Sequence, residues 1–300
     1  MIRRFRRSLV QTGYRLVEDL WATGFAIAGQ RQRRRHLPQW TPGPARQRVL
    51  IVSPHPDDET IGCGGVIGLH RQAGDEVVLL MVTNGNASRA EGRTAAAMAE
   101  QRRIESERAG QILGLSTVVR LDWPEHGWTE DQFAGWLDSH WPELQPDLVY
   151  GPSCIDYHPV HRRVAGGLAL ALQRSTGDAP VIHMYQIHVP LTPVFVNLLV
   201  DIHRTAATKA QALAAYTSQA DSITPLHRLA RYERSYYGHD HDIEVFWQGT
   251  ATQYQQLIQA GSQIPTSDFY GLRGRPFTDP LAYWVGRDRR RALKSILREA

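Results

Sequence analysis

The chain has 300 residues, 42% of them hydrophobic, so it can bury a sizeable core as one large domain or as a domain with appendages. Two cysteines, Cys63 and Cys154, are too few for a disulfide scaffold, and we expect both to be reduced, partly buried thiols. No apolar run approaches the ~20 residues of a membrane span. The net charge of +4 comes largely from the two ends, so it indicates little about a substrate.

Both ends of the chain are basic. Residues 1–47 predict an arginine-flanked amphipathic helix followed by a Pro-rich linker, and residues 251–300 predict an extension with a basic end. Charged residues at Arg15, Glu18 and Asp19 argue against a secretory signal. Such ends favour either contact with an anionic membrane surface or a packed helix with a solvated basic flank.

Residues 48–250, between these ends, alternate between strand and helix patterns. Strands are predicted near 48–54, 76–83, 117–122, 147–151 and 180–187, and helices near 60–73, 91–114, 129–144 and 161–174. Alternation with short connections favours an α/β fold with a Rossmann-like, mostly parallel sheet and helices on both faces. Nucleic acid is not expected as a partner, because no basic strand interleaved with aromatic residues occurs.

The end of the first predicted strand carries the most informative residues. The apolar run at 49–52 predicts a strand buried on both faces, and His55, Asp57, Asp58 and Glu59 come within a few residues of it. Ligands of open α/β sheets bind at the carboxyl ends of the strands. This cluster can therefore bind a metal and still leave one carboxylate to act as a base.

A second cluster lies after the fourth predicted strand, where Asp156, His158 and His161 come after a turn. Together the clusters supply an open catalytic metal site, because zinc typically takes three protein ligands there and keeps a position for water or substrate. Residues 239–242, His-Asp-His-Asp, contain the same residue types, but we expect a solvated loop there.

The sequence at these clusters resembles the PIG-L/LmbE-type zinc-dependent N-deacetylases. Residues 54–59 match the family's first motif, (A/P)-H-P-D-D-E, and residues 158–161 match its second, H-P-D-H, except at Val160. Weaker family features match at residues 102–114, 209–219 and 243–246. The resemblance covers about residues 48 to 247.

The resemblance implies roles for five residues. His55, Asp58 and His161 would hold zinc, although iron or cobalt would accept the same ligands. Asp57 would be the general base, and His158 would be an electrostatic stabiliser or acid. Zinc lowers the pKa of its water enough to create a nucleophile near neutral pH, and general acid–base help is worth ~10²–10⁴-fold in rate.

Val160 is a departure from the family pattern. An acidic residue there would orient the neighbouring imidazole and raise its pKa, so its loss weakens the case for a protonated His158. Asp156 either substitutes for it or is only a turn residue. Glu59 is expected in the first helical turn, where it favours the helix dipole, and is assigned no chemistry. Four residues on loops after the second and third strands are candidate sugar contacts: Arg89, Trp123, His126 and Trp128.

The resemblance thus implies a zinc-dependent hydrolase that removes an N-acetyl group from an N-acetylglucosaminyl substrate and releases acetate and a free amine. A larger acyl group or a thiol-sugar conjugate would require the same five residues. The expected partner is an N-acetylated sugar-containing small molecule or a lipid-linked glycan, and the basic start weakly favours the latter. We expect a cytoplasmic protein, with peripheral contact at the inner membrane face as an alternative. The oligomeric state is not indicated.

Two other protein classes fit parts of the pattern. A non-haem iron oxygenase uses two histidines and a carboxylate, which His55, Asp57 and His161 supply. That triad normally lies on antiparallel jelly-roll strands, whereas helices come after the strands predicted here. A catalytically silent membrane-surface binding protein is the other class, and the intact Asp57 argues against it.

Overall fold

The computed structural model of the protein describes residues 19–30, 37, 39–41, 43, 46–87, 94–175, 178–223, 226–270, 284 and 286–298. The arginines predicted to make the N-terminal segment basic, and the candidate sugar contact Arg89, lie outside these residues. Residues 19–28, near the end of the predicted N-terminal helix, are helical. Phe25 from this helix is buried, and its ring stacks on that of Tyr232 at 5.1 Å between centroids.

A seven-stranded sheet forms the centre of the fold, in the order β3-β2-β1-β4-β5-β7-β6. The strands are β1 (Arg48–Ser53), β2 (Glu76–Thr83), β3 (Thr117–Trp123), β4 (Leu148–Pro152), β5 (Val181–Tyr185), β6 (Leu198–Asp201) and β7 (Ile243–Thr250). The first five pair in parallel, whereas β7 pairs antiparallel with both β5 and β6. The predicted α/β fold with a mostly parallel sheet is confirmed, and the antiparallel edge is an addition to it.

Helices connect the strands and cover the sheet. They are α1 (Asp58–Ala73), α2 (Ala95–Leu113), α3 (Glu130–Leu144), α4 (Pro159–Arg174), α5 (Ala206–Ala215), α6 (Ala220–Ile223), α7 (Leu226–Tyr237), α8 (Ala251–Ser262), α9 (Ser267–Tyr270) and α10 (Arg287–Ser295). Within the described residues, none is long and apolar enough to cross a membrane.

Two apolar clusters fill the two faces of the sheet, because successive residues of a strand point to opposite sides. Leu50 and Val52 of β1 pack in one cluster, with residues of α3, α4 and α8. Val49 and Ile51 pack in the other, with residues of α1, α2 and α5. Strand β1 is therefore buried on both faces, and its carboxyl end opens at the centre of the sheet.

A buried ion pair fastens α1 to the rest of the fold. The Glu244 carboxylate on β7 accepts hydrogen bonds from the backbone amides of Gly65 (2.7 Å) and Val66 (2.9 Å) in α1. The Lys209 ammonium on α5 donates to Glu244 at 2.7 Å and to the carbonyl of Ile61 at 2.8 Å. One charged pair thus ties α5 and β7 to the helix that begins with Asp58.

We expect Glu244→Ala to lower the free energy of unfolding by about 3 kcal/mol, because removing one partner of a buried pair leaves the other charge uncompensated. Urea denaturation followed by circular dichroism would measure this loss. Glu107→Ala is the matched control, since Glu107 forms an exposed pair with Arg103 on α2 and should contribute much less. Equal losses in the two variants would contradict this role for Glu244.

Candidate metal and catalytic site

The two sequence clusters meet in one cavity at the carboxyl ends of β1 and β4. The cavity has a volume of ≈160 Å³, and its polar lining includes His55, Asp57, Asp58, Arg102, Glu125 and His158. Adjacent parallel strands end at the same edge of the sheet, so β1 and β4 bring residues 55–58 and 156–161 together.

Three ligand atoms converge on one point beside this cavity. His55 Nδ1 and His161 Nε2 each lie 3.1 Å from Asp58 Oδ2, and the two nitrogens lie 3.0 Å apart. Ligand atoms about 2.1 Å from one tetrahedral ion lie roughly 3.4 Å apart, so a small adjustment of this triangle would admit a single cation. Two imidazoles and a carboxylate suit zinc and other divalent first-row metals. These three residues therefore fit a metal ion.

Other histidines surround the triangle. Nitrogens of His55, His158 and His161 all lie within 4.8 Å of one another, and so do ligand atoms of Asp156, His161 and His188. Neither cysteine contributes to these groups. Both are free and buried, and burial raises the pKa of the Cys154 thiol to about 12.

Asp156 lies beside the candidate ligand His161. Its Oδ2 lies 3.3 Å from His161 Nδ1, and its Oδ1 lies 3.2 Å from His188 Nδ1. A carboxylate on the outer nitrogen of a metal-binding imidazole fixes its orientation and raises its basicity. Burial opposes ionisation of Asp156, but His161 and His188 hold the pKa of its carboxyl well below the usual value.

The two sequence-based alternatives for Asp156 are both partly right. The carboxylate accepts the backbone amide of His158 at 2.8 Å, as a turn residue does, but it contacts the ring of His161 rather than that of His158. Val160 is buried in the apolar cluster under α4, where a carboxylate would be costly to ionise. Asp156, rather than residue 160, thus supplies the acidic side chain next to the second motif.

Asp57 is held in a strained conformation next to the candidate metal ligands. Its φ is +127°, a region that residues other than glycine rarely adopt and that is typical of functional sites. Its Oδ1 accepts a hydrogen bond from Arg102 Nη2 at 2.9 Å, and the same guanidinium donates to the carbonyl of Pro56. Burial raises the pKa of Asp57 to about 7, although the Arg102 charge acts to lower it.

Arg102 was predicted only as a feature of the family pattern, and the structure places it in the site. It reaches there because Gly85, at the end of β2, leaves room: a Cβ on Gly85 would lie 2.7 Å from the Arg102 side chain. Gly85 also has a φ of +64°. No side chain fits at this position without displacing the arginine.

Glu59 binds the chain segment that carries Asp57 and Asp58, a role that the sequence alone did not indicate. It lies in the first turn of α1 as expected, but it is buried and receives four hydrogen bonds. Its donors are the amide of Asp57 (3.2 Å) and the hydroxyls of Ser53 (3.0 Å), Thr60 (2.8 Å) and Tyr216 (2.6 Å). Glu59 thereby fixes the backbone on which Asp57 and Asp58 stand.

His158 begins α4 as its N-cap residue, with its ring 4.7 Å from that of His55 and 4.7 Å from that of His161. Burial and the neighbouring imidazoles lower the pKa of His158 to about 3. Its side chain is therefore neutral at pH 7, in line with the effect expected from Val160. A neutral imidazole still offers one N–H as a hydrogen-bond donor.

Glu125 is a further acid at the site. Its Oε2 lies 3.8 Å from His55 Nε2, and its Oε1 accepts the amide of Ala87 at 3.1 Å. Burial opposes ionisation, but the nearby imidazole of His55 and the amide of Ala87 lower the pKa of Glu125 to about 2. It lies in the same loop after β3 as the candidate sugar contacts His126 and Trp128, and this position is the sequence signal that could have identified it.

The remaining sequence candidates lie elsewhere. Trp123 and Trp128 pack on each other and on Phe133, and neither they nor His126 line the cavity. The histidine and aspartate cluster at residues 239–242 is a largely exposed loop, as predicted, and Asp242 pairs with Arg234 at 3.2 Å.

Solved structures share this fold. The N,N'-diacetylchitobiose deacetylase of Pyrococcus horikoshii superposes with a TM-score of 0.59 at 24% identity, over 69% of this chain and 85% of that one. GalB, the 4-carboxy-2-hydroxymuconate hydratase of Pseudomonas putida KT2440, superposes with a TM-score of 0.58 at 20% identity, over 67% and 95%. Proteins with different reactions thus share the architecture, and at these identities only the fold is shown.

Sequence relatives cover part of the chain. A diacetylchitobiose deacetylase from Thermococcus kodakarensis is 38% identical over 77 residues, which are 25% of this chain and 29% of that protein. A 1D-myo-inositol 2-acetamido-2-deoxy-alpha-D-glucopyranoside deacetylase from Kineococcus radiotolerans is 35% identical over 193 residues, or 49% and 54%. The chain thus spans about half the length, or less, of these relatives.

Residues 50–172 match the family model described as PIG-L: GlcNAc-PI de-N-acetylase. This segment contains both histidine motifs and all five residues to which the resemblance gave roles. This match over residues 50–172 agrees with the family resemblance that the two motifs predicted.

Proposed function

We propose that this protein is a metal-dependent N-deacetylase, which hydrolyses the acetamido group of an N-acetylglucosaminyl compound to acetate and a free amine. The observation that carries the proposal is the convergence of His55, Asp58 and His161 within 3.1 Å, with the separate carboxylate of Asp57 beside them. The family domain and the deacetylase names of the relatives support the reaction and the substrate class.

Zinc is the metal that we propose, and iron or cobalt would suit the same donors. His55 Nδ1, Asp58 Oδ2 and His161 Nε2 would hold it. When bound, such an ion supplies Lewis acidity, which activates a water molecule and polarises the amide carbonyl.

Asp57 would move the proton. Its carboxylate lines the cavity and takes a proton from the attacking water, then passes that proton to the nitrogen of the departing amine. A cation held at the adjacent Asp58 would favour the ionised form of Asp57, because opposite charges lower the pKa of a carboxyl. Arg102 holds the same carboxylate in place through its guanidinium.

His158 would stabilise the transition state as a neutral hydrogen-bond donor. Its ring lines the cavity at the first residue before α4, and its Nδ1 has no hydrogen-bond partner in the described part of the chain. A positioned N–H that donates to the carbonyl oxygen contributes most when negative charge develops there. We assign proton delivery to Asp57 rather than to His158, since the latter carries no extra proton at neutral pH.

The finer questions of substrate and location are further proposals. A lipid-linked glycan, approached from the cytoplasmic face through the basic ends, is one candidate, and a small sugar conjugate is the other. The oxygenase alternative is weak, because the sheet that carries the triad is mostly parallel rather than a jelly roll.

We expect the wild-type chain to bind one zinc ion, and Asp58→Ala and His161→Ala to lose it. Asp156→Asn should weaken zinc binding about 10–100-fold, because the residue only orients a ligand. Competition with a chromophoric chelator would measure these affinities, with elemental analysis for stoichiometry. Asp57→Asn is the matched control and should keep the ion. Loss of zinc in Asp57→Asn but not in Asp58→Ala would contradict the ligand assignment.

We expect the zinc-loaded protein to release acetate from at least one N-acetylglucosaminyl compound in a panel of free, nucleotide-linked, thiol-linked and lipid-linked forms. Asp57→Asn should reduce kcat by ~10²–10⁴-fold, because the proton acceptor is removed while the ligands remain. An enzymatic acetate assay measures both. Glu107→Gln, on the exposed surface of α2, is the control. Acetate release by Asp57→Asn at the wild-type rate would contradict the mechanism.

We expect Glu59→Gln to lower kcat about tenfold while leaving KM and zinc content unchanged. The reason is that a neutral amide replaces the carboxylate that accepts the Asp57 amide, so this hydrogen bond is weakened. Steady-state kinetics and elemental analysis on the same samples would separate this effect from simple loss of fold. Glu59→Asp, which keeps the charge on a shorter side chain, should recover part of the activity. Equal activity in wild type and Glu59→Gln would show that the loop is fixed without this carboxylate.

A further inference from the structure

A second cavity adjoins the candidate catalytic site. It has a volume of ≈340 Å³, about twice that of the catalytic cavity, and Ile61 and Ile187 line both. It lies among α1, α5, α7 and strand β7. A molecule with one end at the metal ligands can therefore extend past these two isoleucines into the larger space.

The wall of this second cavity is mainly apolar. Alongside the two shared isoleucines, α5 contributes Ala210 and Leu213, and α7 contributes Leu229. The charged residues around it are largely paired: Lys209 bonds to Glu244 at 2.7 Å, and Arg234 bonds to Asp242 at 3.2 Å. An apolar wall with few converging polar groups is typical of a small-molecule site.

Glu233 is a buried polar residue in the wall of the second cavity. Its side chain is 3% exposed, and its Oε1 accepts hydrogen bonds from Gln186 (2.8 Å) and Thr192 (3.2 Å). Within the described residues, no hydrogen bond reaches its Oε2 and no ion pair involves it. Burial raises the pKa of Glu233 to about 7, although its two hydrogen-bond donors act to lower it. Glu233 lines the cavity, so a ligand that donates to its carboxyl would add a hydrogen bond there.

We propose that the second cavity binds the aglycone of the deacetylase substrate, and that this aglycone is an apolar group bearing a hydroxyl or amine that donates to Glu233. This inference rests on the proposed function, because it takes the acetamido sugar to be bound at His55, Asp58 and His161. The apolar body would contact the isoleucines and leucines, and the donor would lie beside Glu233 and Gln186. The cavity would thus select among N-acetylglucosaminyl compounds by the group attached to the sugar.

The test compares acetate release from the methyl, hexyl and 6-hydroxyhexyl glycosides of N-acetylglucosamine by the full-length, zinc-loaded protein. We expect kcat/KM to rise about tenfold or more from methyl to hexyl, because methylene groups enter an apolar pocket. It should rise again, by about two- to tenfold, from hexyl to 6-hydroxyhexyl through the bond to Glu233.

Two variants in the cavity and one control probe its role. Ala210→Trp fills the space from an exposed position on α5, and it should bring the hexyl to methyl ratio of kcat/KM to about one. Glu233→Gln should remove the preference for 6-hydroxyhexyl over hexyl. Ala207→Trp, on the same helix and equally exposed but outside the cavity, is the control and should keep both ratios. Unchanged ratios in Ala210→Trp would overturn the inference.

Calorimetric titration of the same protein with the 6-hydroxyhexyl glycoside separates this inference from the proposed function. Weaker binding in Ala210→Trp than in Ala207→Trp supports the cavity as the ligand site even when no glycoside yields acetate, an outcome that would reject only the deacetylase proposal. Equal binding in the two variants would reject the aglycone site whether or not acetate is released.

Discussion

Two neighbouring carboxylates are buried side by side at the end of β1, and the rest of the site depends on how the structure separates them. Burial alone would favour the protonated form of both. His161 and His55 overcome this for Asp58 and hold the pKa of its carboxyl well below the usual value. Asp57 pairs with Arg102, yet burial raises its pKa to about 7. Adjacent groups with opposite pKa shifts are how proteins divide ligand and base roles between identical side chains.

The difference between Asp57 and Asp58 depends on backbone geometry as well as on charge, because Asp57 has a positive φ. In a regular first helical turn, the side chains of Asp57 and Asp58 would point about 100° apart around the helix axis. Neither side chain would then be fixed by contacts with the preceding turn. Here Glu59 accepts the Asp57 amide, and Arg102 binds both the Asp57 carboxylate and the Pro56 carbonyl. Strain of this kind persists only where several contacts over-determine it. The carboxylates of Asp58 and Asp156 raise the pKa of His161 to about 10, although burial acts to lower it. A metal ion must therefore displace a proton from His161 in order to bind.

The sequence predicted the elements that depend on local pattern. All five parallel strands and the four helices between them were predicted within a few residues, because apolar runs and helical periodicity are local signals. Strand β6 was missed because four residues carry too short a pattern, and its place is set by antiparallel pairing with β7. Strand β7 was not predicted as a strand either, since residues 243–246 were noted only as a family feature. The candidate metal ligands were recognisable because each cluster is short in sequence, and strand order alone brings the two together.

The supporting residues could not be predicted in the same way. Tyr216 reaches Glu59 across 157 positions and Glu244 reaches Gly65 across 179, so their contacts exist only in the folded chain. Trp123 and Trp128 suited a sugar by residue type, yet they pack on Phe133, because burial of large aromatic surface outweighs a position near the pocket.

Helix α1 joins the proposed metal site to the proposed aglycone cavity. Its first residue, Asp58, belongs to the metal triangle, and Ile61, one turn later, lines both cavities. The carbonyl of Ile61 accepts a hydrogen bond from Lys209, which also binds Glu244, and both of these residues line the larger cavity. A change in α5 or β7 that reshapes the larger cavity therefore acts on the helix that presents Asp58. This constraint would favour changes at positions such as Ala210, which reach the cavity from its exposed side and leave the ion pair intact.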